Sequence, residues 1–511
     1  MENKTILRRL ILFILTLLVI AMLGGSLIAS LTQPQIQSRL ELYQTNLILH
    51  ATEWRGSGPL DSTQESDLTA LQMSLLGKDA VATALEQYTD FQNSVQEKID
   101  TLNNPESLSG VAESPQSAAQ LEALSQDLSL QIGLLQARQG ETTQAFQTWQ
   151  KVTQASPEES LTHQTATVLT GLWNDPARIL PNSEGILRQN LDGWFQYQAL
   201  NQLYTLQQRG DALEDLTIKE QEVAQSAVVK LAIVSGIPAT GLVLGTGLLL
   251  FLGIQWLLKR QDSTLARNAN LPWKTPWSWE TVLQVFVVGF FFLSQFVAPI
   301  LFQVGLQLFG IQTADLSSRS QAILTLISYL SLALGGLVVL YLSLRPFLPL
   351  PDGWFRLDWL GNWPIWGLGG YLVALPLVIA VSLLNQLIWQ GQGGSNPILP
   401  IALENRDQVA LIIFFITASI AAPLFEEIMF RGFLLPSLTR YFPVWGAIVL
   451  SSFLFALAHN NISEVIPLTT LGMVLGLVYT RSRNLLSSML LHSLWNSGTL
   501  IGLYVLGSGV S

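Results

Sequence analysis

About nine apolar segments, each long enough to cross a lipid bilayer, dominate the sequence of this 511-residue chain. A transmembrane helix needs about 20 predominantly apolar residues to span roughly 30 Å of hydrocarbon, and a helix satisfies its own backbone hydrogen bonds there. The segments lie near residues 10–31, 231–258, 281–309, 319–344, 365–390, 409–435, 444–463, 465–480 and 485–507. The sequence therefore predicts an all-α protein, a polytopic transmembrane helical bundle of about nine spans.

A polar and acidic stretch interrupts these spans. Residues 32–228 contain 25 Asp and Glu against 10 Lys and Arg, although charged residues make up only 12% of the whole chain. That low share excludes a single soluble globule. The net charge of −10 gives no support to nucleic-acid binding, and the absence of cysteine excludes disulfides, thiolate nucleophiles and Cys-ligated zinc. The pattern predicts a membrane protein with one soluble insert.

Basic residues in the short connections predict the orientation, because Lys and Arg concentrate on the cytoplasmic side of a membrane. With the N-terminus inside, twelve of them fall on the inner side and three on the outer side, the insert excluded. We therefore expect a multi-pass protein with a cytoplasmic N-terminus and an extracytoplasmic domain at residues 32–228. The first segment is expected to be a retained anchor, and the alternative is a signal peptide cleaved near Ile28-Ala29-Ser30.

The insert is rich in Gln, Leu and Ala, which favours helices. Turn positions recur in it every 34 to 36 residues, at Gly140, Asn174 and Gly210, and this is the period of tetratricopeptide-like helix pairs. The Trp and Tyr positions typical of that repeat are mostly absent, so an irregular helical domain is the alternative. Either form would offer a docking surface to a protein partner, and no cluster of residues in the insert suggests catalysis.

The C-terminal spans contain polar side chains at depths where a charge is costly. These residues are Glu426, Glu427, Arg431, His459, His492 and Asn496. Residues four apart share one face of a helix, so Glu427 can pair with Arg431, and the His and Asn of the last span can line one cavity. Counting the helical rise places the groups of three helices at similar depth, which predicts a shared internal site. The alternative is a buried ion pair together with structural histidines.

These side-chain types suit the activation of water. A buried Glu can act as a general base, and a hydrogen-bonded His can hold the water or deliver a proton to a leaving amine. A second His with an Asn can supply donors to an oxyanion. No Ser–His–acid or Cys–His set is evident, which favours water as the nucleophile. The alternative is a divalent metal such as zinc, with Glu426, His459 and His492 as candidate ligands, although the sequence has no HExxH motif.

Three short motifs carry a family resemblance. Residues 426–431 match EExxxR, residues 455–459 match FxxxH and residues 492–496 match HxxxN, in this order on successive spans. Over residues 405–505 the chain resembles the intramembrane proteases related to the CAAX prenyl endopeptidase and to bacteriocin-processing enzymes, called the CPBP or Abi family.

This resemblance implies a role for each polar residue of the motifs. Glu426 would activate the water with His459 as its partner, while His492 and Asn496 would stabilise the tetrahedral intermediate. The residues implied to support the site are Glu427 and Arg431.

We expect four regions along the chain. They are an N-terminal membrane anchor at 1–31, an extracytoplasmic helical domain at 32–228, accessory transmembrane helices at 229–404 and a CPBP-like catalytic core at 405–511. The predicted function is an intramembrane endopeptidase that hydrolyses a peptide bond of a membrane-associated protein or peptide, without nucleic acid as a partner. A proton-coupled transporter stays open, because buried Glu and His also form proton relays, as does a non-catalytic scaffold whose outer domain recruits partners.

Overall fold

The computed structural model describes residues 2–31, 37–56, 77, 79–103, 115–311, 316–389, 393–394 and 407–507. All regular secondary structure in these ranges is helical, which confirms the all-α class. The chain folds as two compact units, one formed by residues 1–36 with 237–508 and the other by residues 37–236.

Sixteen helices of the described part are numbered in chain order. In order they are α1 (Glu2–Ser30), α2 (Gln37–Thr52), α3 (Ala80–Asn103), α4 (Pro115–Arg138), α5 (Thr142–Ala155), α6 (Leu161–Trp173), α7 (Ser183–Asn190), α8 (Gly193–Leu206), α9 (Gly210–Lys259), α10 (Trp279–Leu308), α11 (Ser318–Leu344), α12 (Trp363–Trp389), α13 (Gln408–Leu438), α14 (Val444–Leu457), α15 (Val465–Ser482) and α16 (Leu485–Gly507). Two of them contain π-helical stretches, Gln284–Val297 in α10 and both Thr417–Ala421 and Ile428–Leu434 in α13.

Seven helices of the described part are long and apolar enough to cross a membrane, namely α1, α9 to α13 and α15. The protein is therefore a multi-pass integral membrane protein. Two of the nine segments expected from the sequence fall short of this standard. Helix α14 has only 14 residues. Helix α16 has 23 residues, but its serines, His492 and Asn496 interrupt its apolar stretch.

An aromatic core holds α13 against α10. The ring of Phe433 stacks on Trp277 with centroids 5.6 Å apart and lies parallel to Phe286 at 6.2 Å. One turn further along α10, Phe290 stacks on Phe425 with centroids 5.9 Å apart. Because Phe425 directly precedes the two glutamates of α13, this packing fixes the helix that carries them.

Helix α1 packs within the unit formed by residues 1–36 and 237–508, here called the membrane unit. Val19 and Leu23 are buried in its hydrophobic core. At the other end of the helix, the Arg9 Nε atom lies 2.8 Å from a carboxylate oxygen of Glu280. Helix α1 therefore covers apolar side chains of the other helices. The choice between a retained anchor and a cleaved signal peptide stays as the sequence left it.

The unit at residues 37–236 has its own core, in which Trp149 and Trp194 are fully buried. The three predicted turn positions do not repeat one geometry: Gly140 has φ +83° between two helices, Asn174 follows the end of α6, and Gly210 begins α9. The helices from α5 to α8 also differ in length, from 8 to 14 residues. A tetratricopeptide-like repeat is therefore not confirmed.

A cluster of hydrogen bonds around the carboxylate of Glu184, in the unit at residues 37–236, predicts that the stability of the protein depends on pH. Glu184 accepts hydrogen bonds from the Tyr204 hydroxyl at 2.6 Å, from Arg209 at 2.8 Å and from Arg188 at 3.2 Å. These bonds, that from Tyr204 foremost, lower the pKa of Glu184 to about 2. Because the folded pKa lies below the ordinary value of 4.5, the stabilisation is present above about pH 4.5 and is lost as the pH falls toward 2.

We expect the thermal unfolding midpoint of the full chain in detergent to fall over this pH window, and to fall less in Glu184→Gln. Circular dichroism at a series of pH values measures both. If the unfolding midpoints of the wild type and of Glu184→Gln depended on pH in the same way, the hydrogen bonds around Glu184 would contribute nothing to that dependence.

Candidate active site

Two adjacent glutamates, Glu426 and Glu427, lie in α13 between its π-helical stretches Thr417–Ala421 and Ile428–Leu434. A π-helical turn takes up an extra residue and therefore changes which side chains face the interior of the bundle. Such turns occur frequently at functional sites. The local geometry thus directs the two carboxylates toward different neighbours.

The negative charge of Glu427 is compensated by a buried ion pair with Arg431. The Arg431 Nη1 atom donates to Glu427 Oε1 at 2.8 Å, and both side chains are almost completely excluded from solvent. Arg431 Nη2 also donates to the carbonyl oxygen of Gly472 in α15 at 3.1 Å. The predicted pairing of residues four apart is therefore present, and it also ties α13 to α15.

His492 of α16 connects the two carboxylates. Its Nδ1 atom donates to Glu427 Oε1 at 3.0 Å, and its Nε2 atom lies 3.8 Å from Glu426 Oε2. The imidazole is buried, with 3% exposure. The bond to Glu427 fixes the orientation of the ring and directs Nε2 toward Glu426, so α13 and α16 bring these three side chains together as the sequence predicted.

Glu426 has a different environment from its neighbour. Its side chain keeps 17% of its area exposed, whereas that of Glu427 keeps none. Glu426 Oε1 accepts a hydrogen bond of 3.3 Å from the hydroxyl of Tyr329 in α11. The sequence motifs missed Tyr329, because a lone tyrosine in an apolar span carries no pattern that links it to a residue almost a hundred positions away.

His459 does not lie within a membrane helix, in contrast to the expectation for residues 444–463. Helix α14 ends at Leu457, and His459 lies in the turn that follows, with its Nδ1 atom 2.9 Å from the carbonyl oxygen of Phe455. Asn460 then adopts the left-handed conformation, with φ +58°. Asn is one of the few residues that adopt this conformation readily, so Asn460 was the signal in the sequence for the end of the helix.

The ring of Phe455 joins the parts of the site. Its centroid lies 4.9 Å from that of His459 and 5.6 Å from that of His492. The Arg431 guanidinium lies over the same ring, 4.6 Å from its centroid, in a cation–π contact. Both histidines therefore pack on one aromatic side chain, which places the FxxxH motif beside the other two motifs.

Helices outside the motifs hold the turn that carries His459. Gln295 of α10 donates its side-chain N–H to the carbonyl oxygen of Ala458 at 3.0 Å. The hydroxyl oxygen of Ser30, at the end of α1, accepts from the backbone N–H of Ile462 at 3.1 Å. Neither contact was predicted, because each depends on the packing of distant helices.

Asn496 fastens α16 to α13. Its Nδ2 atom donates to the carbonyl oxygen of Ala418 at 2.7 Å, within the first π-helical stretch of α13. The hydroxyl of Ser493 donates to the next carbonyl along, that of Ser419. Asn496 therefore lies in the assembly predicted for it, and its role toward an oxyanion stays a prediction.

The metal-dependent alternative has Glu426, His459 and His492 as its candidate ligands. No group of three or more His, Asp or Glu side chains among the described residues is arranged to hold one metal ion. The Nδ1 atom of His492 faces Glu427 and the Nδ1 atom of His459 faces a backbone carbonyl, which leaves Nε2 of each ring as the nitrogen that would bind a ligand. A role for a metal therefore stays a prediction.

Comparison with known proteins identifies the region that contains this assembly. Residues 408–498 match the family model described as Rce1-like, type II CAAX prenyl endopeptidase. YdiL of Bacillus subtilis, which carries the name of a membrane peptidase, is 26% identical over 223 residues, 42% of this chain and 87% of its own length. MroQ of Staphylococcus aureus, named as a membrane-embedded CAAX protease, is 28% identical over 142 residues, 27% of this chain and 56% of its own length. No solved structure matches the chain significantly.

The matched region contains all six polar residues that the sequence singled out, and the resemblance to the CAAX proteases is thereby confirmed. The chain therefore contains an Rce1-like domain at residues 408–498, and the Rce1-like CAAX proteases are intramembrane peptidases, a class of hydrolase.

Proposed function

We propose that this protein hydrolyses a peptide bond of a membrane-associated protein or peptide, with Glu426 and His459 activating the attacking water. The observation that carries the proposal is the contrast between two adjacent carboxylates. Glu427 is buried and paired with Arg431, whereas Glu426 is partly exposed and contacts a hydroxyl and an imidazole. Adjacent carboxylates in such different environments commonly take different roles, one structural and one in proton transfer.

In the proposed reaction, water attacks the carbonyl carbon of the scissile bond while one of its protons passes to Glu426. The new C–O bond leaves the negative charge on the former carbonyl oxygen. The C–N bond then breaks, and the proton that Glu426 took from the water passes to the amine nitrogen. His459 would relay this proton, because its Nδ1–H is engaged with the Phe455 carbonyl and the lone pair on Nε2 of the neutral ring can accept the proton and release it again.

His492 and Asn496, one turn apart on α16, are the proposed donors to the oxyanion. Because Glu427 holds the Nδ1–H of His492, the Nε2 atom on the side of Glu426 would donate to the oxyanion in the imidazolium form, in which both ring nitrogens carry a proton. The amide nitrogen of Asn496 donates one hydrogen to Ala418, and its second hydrogen would serve the oxyanion. Preorganised donors of this kind are worth about 10²–10³ in kcat each.

The reaction class can be tested without a known substrate. We expect the purified protein, reconstituted in vesicles together with the membrane proteins of its source cell, to generate new protein N-termini that mass spectrometry of labelled termini detects. Vesicles lacking the protein are the control. Proton flux driven by a pH gradient, without new N-termini, would instead identify a transporter. A phenotype that is lost on deletion of residues 32–228 but kept in Glu426→Ala would identify a scaffold.

A further inference from the structure

The hydroxyl of Tyr329 reaches the candidate general base from outside the matched family region. Tyr329 lies on α11, whereas the region that matches the family model, residues 408–498, begins at the first residue of α13. Its hydroxyl donates to Glu426 Oε1 at 3.3 Å, and its ring packs edge-on against Phe425, with centroids 6.3 Å apart at 85°. The side chain is thus held by packing and directed at the carboxylate by its polar end.

The two oxygens of Glu426 have partners on different helices. Oε1 accepts from Tyr329 of α11, and Oε2 lies 3.8 Å from Nε2 of His492 on α16. Two other charged groups lie beside Glu426. They are Glu427 and Arg431, which belong to the same helix and form an ion pair with each other. Tyr329 therefore engages one carboxylate oxygen, and the other lies on the side of His492.

We propose that Tyr329 is a positioning residue of the active site, which holds Oε1 of Glu426 so that Oε2 takes the proton from the attacking water. This inference rests on the proposed function. The bond of 3.3 Å is longer than the roughly 2.8 Å of a strong O–H···O bond. Hydrogen bonds in catalytic sites are often long without substrate and shorten when the reacting complex forms, so we expect this bond to act mainly in the transition state.

A structural role is the competing explanation, because buried tyrosine hydroxyls usually find a hydrogen-bond partner. Tyr329→Phe separates the two, since it keeps the ring packed on Phe425 and removes only the hydroxyl. Tyr341→Phe is the matched control, because it makes the same change on the same helix at a side chain that is 59% exposed.

With a peptide substrate obtained from the vesicle experiment, Tyr329→Phe is expected to lower kcat about 10-fold and to leave KM within twofold. Tyr341→Phe should match the wild type in every measurement. Unchanged kcat in Tyr329→Phe, with or without a lower unfolding temperature, would overturn the inference.

Glu426→Gln is measured in parallel to separate this inference from the proposed function. An inactive Glu426→Gln beside a fully active Tyr329→Phe would overturn the role of Tyr329 alone. Wild-type turnover by Glu426→Gln would overturn the proposed function and this inference with it.

Discussion

Replacing Arg431 with methionine is expected to lower the free energy of unfolding by about 3–5 kcal/mol, the cost of removing one partner of a buried ion pair. The side chains of Arg431 and Glu427 are 1% and 0% exposed, so the substitution leaves a carboxylate buried without its cation. It also removes the bond from Arg431 to the Gly472 carbonyl that joins α13 to α15. Unfolding of the purified protein in detergent, followed by circular dichroism, measures the change.

Two further variants show whether burial is the cause. Replacing both partners, in Glu427→Leu with Arg431→Met, should recover much of the lost stability, because apolar pairs often replace buried ion pairs without loss. Arg319→Met is the exposed control, because it breaks the ion pair with Asp407 in which the arginine is 60% exposed. It should lower the free energy of unfolding by less than about 1 kcal/mol. Equal losses in the buried and the exposed pair would contradict the explanation.

Replacing Glu426 with glutamine is expected to lower kcat/KM for peptide cleavage by about 10²–10⁴, the usual contribution of a general base. The free energy of unfolding should change by less than about 0.5 kcal/mol, because this side chain is partly exposed and glutamine keeps its shape. Rates of cleavage and unfolding curves on the same preparation measure both quantities.

The adjacent position is the matched control. Glu427→Gln removes the charge that compensates Arg431 and should therefore lower stability together with activity. Glu184→Gln, in the unit at residues 37–236, should leave activity at neutral pH unchanged. If Glu426→Gln cleaved at the wild-type rate, or lost activity only in proportion to lost stability, Glu426 would not be the general base.

The sequence could predict the parts of the site that follow from local geometry. Glu427 and Arg431 pair because residues four apart meet on a helix, and this holds here although part of the helix is π-helical. The approach of His492 to the two glutamates links residues 65 positions apart, and the similar depth of the polar groups and the order of the three motifs indicated it. The same motifs carried the resemblance to the CAAX proteases, which the match over residues 408–498 confirms.

The remaining features depend on irregular backbone and on tertiary packing. The π-helical stretches of α13 do not follow the 3.6-residue period from which helix faces were inferred, and the bond from Asn496 to Ala418 lies in one of them. His459 falls outside α14 because the helix stops two residues before it. Tyr329 and Gln295 reach the site from helices that carry no motif, so only the packed bundle reveals them.

Chemical cross-linking of positions 426 and 492 tests most directly whether separate helices form one active site. The chain has no cysteine, so Glu426→Cys with His492→Cys supplies the two thiols of the protein, and a short bifunctional thiol reagent can join them. We predict that this pair cross-links in membranes. Glu426→Cys with Tyr504→Cys, about 18 Å further along α16, should not. A folded protein in which positions 426 and 492 fail to cross-link, or in which both pairs react alike, would contradict a shared site.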